Sequence, residues 1–146
     1  MKNYSSHFIT FGKRLDNLNL ALEKLTIGSN RPSIAKYLEP GAHIFLHCQS
    51  QLWAICEIVG EYHYSDTVIW ENQIYPHRFS FKPIVIPKEP IPLLDGSINK
   101  LLQVASGKGW QYKHLFTPMA LPKDVCDLIL LRFDASTNSP SLAGKK

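Results

Sequence analysis

The chain alternates between short apolar runs and polar breaks, and the spacing of its apolar residues changes character along its length. Residues 7–11 (HFITF) are apolar and rich in aromatic and β-branched types, which predicts a first strand. Over 16–24 the period becomes helical. Leu18, Ala21, Leu22 and Leu25 share one face, and Asp16 stands where an N-cap belongs. Gly28-Ser29-Asn30-Arg31-Pro32 breaks this helix, residues 33–38 allow one further helical turn, and Pro40-Gly41 is a strong turn signal. Residues 43–48 (HIFLHC) and 53–59 (WAICEIV), separated by Gln49-Ser50-Gln51, read as a β-hairpin. The polar-aromatic connection 61–76 is too irregular for one strand. Residues 77–86 then set Arg78, Ser80 and Lys82 against Phe79, Phe81 and Ile84, as a half-exposed strand does, and Pro83 puts that strand at an edge or ends it. Residues 98–104 form a short amphipathic helix before the Gly107-Lys108-Gly109 break. Leu121-Pro122-Lys123-Asp124 opens a last helix with Val125, Leu128, Ile129 and Phe133 inward. The order predicts an α+β fold, a small curved sheet or barrel with short helices around it.

With 146 residues the chain is long enough for one core. The expected division is a single domain over 1–135 and a flexible tail or linker over 136–146, where STNSPSLAGKK lacks core-forming residues. Hydrophobic residues at 45% exclude disorder of the whole chain. A count of 16 Lys and Arg against 12 Asp and Glu, net +4, mildly favours a polyanionic partner. Cys48, Cys56 and Cys126 cannot all pair within one chain and lack CxxC spacing, so a reducing compartment is the simpler reading. No apolar run reaches membrane-spanning length, and residues 1–25 do not form a signal peptide. The expectation is a cytoplasmic protein without a membrane partner.

Two features could carry chemistry. Trp70 and Tyr75 lie on the irregular connection, where two flat rings could sandwich a planar ligand; stacking on a nucleobase contributes roughly 1–3 kcal/mol. The alternative is that both rings plug the end of a barrel. The second feature is a stretch from Gly96 to Lys123 with no acidic residue. It carries Lys100, Lys108, Lys113 and Lys123 interleaved with Trp110 and Tyr112. That pattern suits a groove that tracks a phosphate backbone, and equally a solvated loop with Trp110 in the core. Neither a nucleophile motif nor a glycine-rich nucleotide fingerprint is present, and Asp66 and Glu71 are not set up as an acid–base pair. His43 and His47 share one side of a strand about 13 Å apart, too far for one ion. No enzyme activity, metal or cofactor is expected.

The segment from Trp70 to Phe79 (WENQIYPHRF) resembles the aromatic-cage segment of YTH domains. Tyr75-Pro76-His77-Arg78-Phe79 followed by Lys82-Pro83-Ile84 is also similar to EVE domains, their relatives in the PUA-like superfamily. Pro40-Gly41 with the strand after it, the hydrophobic strand from Trp53 to Val59, Gly109-Trp110 and Leu121-Pro122-Lys123-Asp124 resemble further elements of these domains in order. The likeness spans roughly residues 7–133. It implies a PUA-like (EVE/YTH-type) barrel, and a domain that recognises a modified, typically methylated, nucleobase of DNA or RNA in an aromatic pocket.

By position, Trp70 and Tyr75 become cage walls. Ser29, Asn30, Phe11 and Gly12 fall where the family contacts the base, and Lys13, Arg78, Lys108 and Lys113 where phosphates would be met. The chain departs from YTH domains where Leu25, Thr26 and Ile27 occupy the region of a further tryptophan, where Tyr75 replaces the second one, and where Ala42 stands for an aspartate. The cage is accordingly more open, and N6-methyladenine, 5-methylcytosine or another modified base all fit the pattern. Domains of this kind often target a fused or associated effector, such as the nuclease of a modification-dependent restriction system. The other readings are an RNA-binding PUA-like module without modification specificity, and a module that binds a small ligand or a protein.

Overall fold

The computed structural model describes residues 5–92, 96–111, 114–115 and 117–137. Lys113 and most of the expected tail therefore lie outside the described residues. Seven strands and four helices follow in the order β1 (Ser6–Thr10), α1 (Leu15–Lys24), β2 (Thr26–Ser29), α2 (Ile34–Tyr37), β3 (His43–Cys48), β4 (Gln51–Ile58), β5 (His63–Tyr64), β6 (His77–Val85), β7 (Ile91–Pro92), α3 (Gly96–Ser106) and α4 (Lys123–Thr137). The strands make one sheet in the order β1-β3-β4-β6-β2, with β5 added to β6 and β7 to β4. Only the β1–β3 pair is parallel among these pairings. The path begins at β1 and ends at β2, and those two strands face each other across a seam lined by both. The result is the α+β curved sheet expected, curled into an open barrel.

The sheet is buried on both faces, which explains the unbroken apolar run of β3. Ile44, Leu46 and Cys48 point into an inner cluster with Ile9, Leu18, Ala21, Ile27, Ala54, Cys56, Ile58, Trp70, Phe79 and Phe81. Phe45 points the other way, to a second cluster where Phe8, Leu52 and Ile55 meet Ile98, Leu102, Trp110, Val125, Ile129 and Phe133. Strand alternation thus assigns β3 to two cores at once. Trp110 is fully buried and donates its indole N–H to Asn99 Oδ1 at 3.0 Å, so it is a core residue and not a stacking platform.

The β3–β4 hairpin closes through Gln49 and Ser50, both at positive φ, which is the backbone twist a two-residue hairpin turn demands. Four sequence expectations change. Residues 28–32 do not simply break a helix, because Thr26–Ser29 pair antiparallel with β6 and bury Ile27. Asp16 is not the N-cap of α1; Arg14 holds that place and Asp16 takes its guanidinium at 3.1 Å from the first turn. Pro83 does not end β6, which continues to Val85 across a register shift opposite Ile55 and Cys56. There β6 has β4 on one side and no strand on the other, so the missing N–H costs no ladder bond. Finally, α4 runs through Thr137, into the segment expected as tail.

Candidate functional site

The seam between β1 and β2 holds two adjoining pockets of about 100 Å³ each. The first is lined by Ile9, Thr10, Phe11, Asn17, Gly28, Trp70 and Tyr75. Three aromatic residues, one after β1 and two from the connection between β5 and β6, therefore meet one buried amide. α1 supplies the amide because Asn17 lies on the inward stripe with Leu18 and Ala21. Its backbone carbonyl accepts the Trp70 indole N–H at 3.0 Å. Its side-chain Nδ2 donates to Asn72 Oδ1 at 2.9 Å, and Asn72 Nδ2 donates to the Tyr75 hydroxyl at 2.7 Å. One residue thus fixes both rings.

Asn17 Oδ1 has no hydrogen-bond partner, and it is the one buried side-chain polar atom left so among the described residues. The residue is 4% exposed. A buried acceptor without a partner costs about 1–3 kcal/mol, and native folds keep few of them. A ligand N–H brought to this oxygen, which the wall covers from solvent, would recover that cost.

Trp70 and Tyr75 do not form a sandwich. Their ring centroids are 5.5 Å apart and their planes meet at 88°, so they make a corner in which a flat ligand rests on one ring and abuts the other. Trp70 is 2% exposed and belongs to the inner core as well as lining the pocket. Tyr75 is half-buried and left-handed, at φ +50°. For a residue with a Cβ that conformation is strained by roughly 1–2 kcal/mol.

Arg78 holds that strain. Its Nε donates to the Tyr75 carbonyl at 3.1 Å, Nη2 to the carbonyls of Ile74 (2.9 Å) and Thr67, and Nη1 to Ser65 Oγ at 3.2 Å. The guanidinium also lies 5.4 Å from the Trp70 ring centroid. At 2% exposure its donors are spent inside the protein, and burial lowers its pKa while nearby Asp66 opposes that shift. The expectation that Arg78 contacts phosphate is therefore corrected: it clamps the connection between β5 and β6.

Gly28 completes the wall. A Cβ there would stand 2.5 Å from the Tyr75 carbonyl oxygen, 2.8 Å from Trp70 Cζ3 and 2.9 Å from Tyr75 Cβ. Glycine is what lets the aromatic connection close onto β2. The neighbouring end of β1 is tied down by Thr10, whose Oγ1 accepts the Gly12 N–H at 3.0 Å and shares a hydrogen bond with His47 Nδ1 at 2.8 Å. Burial lowers the His47 pKa to about 4, which keeps the ring neutral near neutral pH.

Of the other sequence candidates, Phe11 lines the first pocket and Ser29 the second. Asn30 lines neither; its Nδ2 donates to Gln73 Oε1 and so ties β2 to the aromatic connection. Gly12 lines neither, but at φ +64° it turns the chain out of β1 toward exposed Lys13, beside Phe11. Lys108 is exposed in the turn after α3, where neither pocket includes it. Lys123 pairs with Asp127 at 2.8 Å. Among the described residues no group of three or more His, Cys, Asp or Glu could hold a metal ion, and no helix is long and apolar enough to cross a membrane.

Asn17 was absent from the sequence candidates. A polar residue inside the helical stripe that carries Leu18 and Ala21 was the signal that could have revealed it.

No protein-family model matches the chain, and no curated protein matches it. Solved structures do. The Pho92 YTH domain in complex with m6A aligns at 16% identity over 91% of this chain and 85% of its own, with a TM-score of 0.60. The YTH domain of Zygosaccharomyces rouxii MRB1 protein, in complex with N6-methyladenosine RNA, aligns at 15% identity over 91% of each chain, with a TM-score of 0.59. A Pseudomonas syringae protein aligns at 16% identity over 84% of this chain and 97% of its own, with a TM-score of 0.60. The fold is thus that of these YTH domains.

Proposed function

We propose that the chain is a reader of modified nucleic acid, taking one modified base into the pocket lined by Phe11, Trp70 and Tyr75. The observation that carries this reading is the unpartnered Asn17 Oδ1 beside the rings of Phe11, Trp70 and Tyr75, in a wall whose other polar side-chain groups include the hydroxyls of Thr10 and Tyr75. The rings suit a flat heterocycle with a methyl group, and the lone acceptor calls for a ligand that keeps an N–H beside it. N6-Methyladenine and 5-methylcytosine both keep an exocyclic N–H, whereas N6,N6-dimethyladenine does not. RNA is the first polymer to try, because solved structures of this fold include complexes with RNA. Exposed Lys13, directly after the turn at Gly12, is placed to meet its backbone. A single base pocket has limited contact area, which suits a targeting module for a fused or associated effector, such as the nuclease of a restriction system. Since the pocket binds without a reactive group, no catalytic role is assigned to it.

Fluorescence anisotropy on short labelled oligonucleotides tests the reading. The panel holds single- and double-stranded RNA and DNA, each unmodified, N6-methylated, N6,N6-dimethylated at adenine, or 5-methylated at cytosine. The expected result is preference for one monomethylated member by tenfold or more, rejection of the dimethylated one, and loss of the preference in Tyr75→Ala. Uniform, salt-sensitive binding would keep nucleic acid and remove the pocket from the account. No binding at low salt would overturn the proposal.

A further inference from the structure

The second pocket has no role in the reading above. It matches the first in volume, at about 100 Å³, and shares Ile9, Thr10 and Gly28 with it, so the two open side by side along the seam. Its chemistry differs. Buried Phe8 and Ile34 line it, together with Ser29, Ser33, Thr117 and Arg31, which bring three hydroxyl-bearing side chains and one guanidinium to its rim. Arg31 is exposed, and among the described residues no carboxylate pairs with it. Ser29 Oγ accepts the Arg31 backbone N–H at 3.0 Å, which leaves the Ser29 hydroxyl proton free to donate outward. The Thr10 hydroxyl, by contrast, is engaged by Gly12 and His47.

We infer that this pocket binds the phosphate attached to the nucleoside whose base enters the first pocket, with Arg31 as the charged ligand and Ser29 and Ser33 as hydroxyl donors. A phosphate is joined to its base through a single sugar, so a base and its own phosphate are an occupant pair that two adjoining pockets can hold. A planar guanidinium gives a phosphate two parallel N–H bonds, and hydroxyl donors serve its remaining oxygens. Arg31 thereby takes the role that the sequence assigned to the buried Arg78. The inference rests on the base-reading proposal and names a second contact of the same ligand.

Calorimetric titration of the full chain with five small probes separates the two ideas. The probes are adenosine, N6-methyladenosine, adenosine 5′-monophosphate, and the 5′- and 3′-monophosphates of N6-methyladenosine. The ratio of methylated to unmethylated affinity reads the base pocket, and the ratio of monophosphate to nucleoside affinity reads the second pocket. One monophosphate is expected to bind roughly tenfold or more tighter than its nucleoside, from charge-assisted hydrogen bonds. Arg31→Gln should bring that ratio to about one while leaving nucleoside affinity unchanged; Lys13→Gln should leave the ratio in place. Equal binding of nucleoside and both monophosphates would overturn the inference and spare the base reading. A phosphate gain that survives Arg31→Gln would overturn it too. An Arg31-dependent gain without any methyl preference would uphold the phosphate site and sink the base reading, and no binding by any probe would sink both.

Discussion

Gly28→Ala is the smallest change that reaches the seam, since it adds one carbon where β2 meets the aromatic connection. That carbon would stand 2.5 Å from the Tyr75 carbonyl oxygen, well inside contact distance, and 2.8 Å from Trp70 Cζ3. Neither neighbour gives way cheaply. The Tyr75 oxygen is held by Arg78 Nε in a left-handed residue, and the Trp70 ring is pinned by its bond to the Asn17 carbonyl. Overpacking of this kind costs about 1–3 kcal/mol. Against it stands a gain of roughly 0.4–1 kcal/mol from the stiffer unfolded chain. The balance is a loss of about 1–2 kcal/mol, which lowers the melting temperature by about 3–6 °C for a domain of this size. Because Gly28 lines both pockets, affinity for the preferred methylated oligonucleotide should fall tenfold or more in the same protein. Gly60→Ala is the control, since its Cβ meets Ser80 Cβ at an ordinary 3.4 Å and its effect should stay under ~1 kcal/mol. Thermal unfolding by circular dichroism and the anisotropy titration measure both. An unchanged or raised melting temperature with undiminished binding would refute the reasoning, because it would mean that the Arg78 clamp yields freely.

Two further perturbations probe the supports of the seam. Arg78→Ala leaves the carbonyls of Thr67, Ile74 and Tyr75 without their donor and should cost about 3 kcal/mol or more; Arg78→Lys should recover little, since one ammonium cannot span the fork. Urea titration gives the stability, and proteolysis within 65–75 shows whether the connection has come loose. Acid is the other probe. His47 is neutral in the fold with a pKa of about 4, and burial also lowers that of His7, which donates Nδ1–H to the Pro118 carbonyl at 2.7 Å. Above an unfolded pKa near 6.5 both states are neutral and stability is flat with pH. Below it the unfolded chain takes up protons that the fold refuses, so stability falls from about pH 6.5 down to about pH 4, by about 3 kcal/mol through His47 alone. Thr10→Val removes the hydroxyl that meets His47, and should change the slope between about pH 6.5 and pH 4; a flat stability profile between pH 7 and 4.5 would contradict the assignment.

Local pattern carried most of the fold, since the β3–β4 hairpin, α1, β6 and the inward face of α4 each rest on several apolar residues at one period. β2, β5 and β7 have too few residues to show a period, and they exist because β6 and β4 offer them edges. The two aromatic residues of the site were visible because they sit on an irregular segment next to a strand. Their angle was not, because it depends on the left-handed Tyr75 and on an arginine held by carbonyls from distant turns. Arg78 illustrates the limit well: an arginine alternating with phenylalanine on a strand looks solvent-facing, and only the connection folding over it turns it inward. In the sequence Arg31 is merely part of a helix break, since its pocket is made by strands and by Leu115, Thr117 and Pro118 far along the chain.

The order in which the strands pair has a bearing on how the protein is made. The β3–β4 hairpin closes within adjacent residues and can form as soon as it emerges during synthesis, whereas β1 waits for β3 and β2 for β6. Both pockets belong to that late closure, and the second also needs Leu115, Thr117 and Pro118. A nascent chain therefore holds the β3–β4 part of its inner core before it holds either pocket, and the pockets close only once the barrel ends have met. A ligand lying across β1 and β2 would act as a fastener on the last-formed part of the molecule, adding its binding free energy to the step that folding completes last.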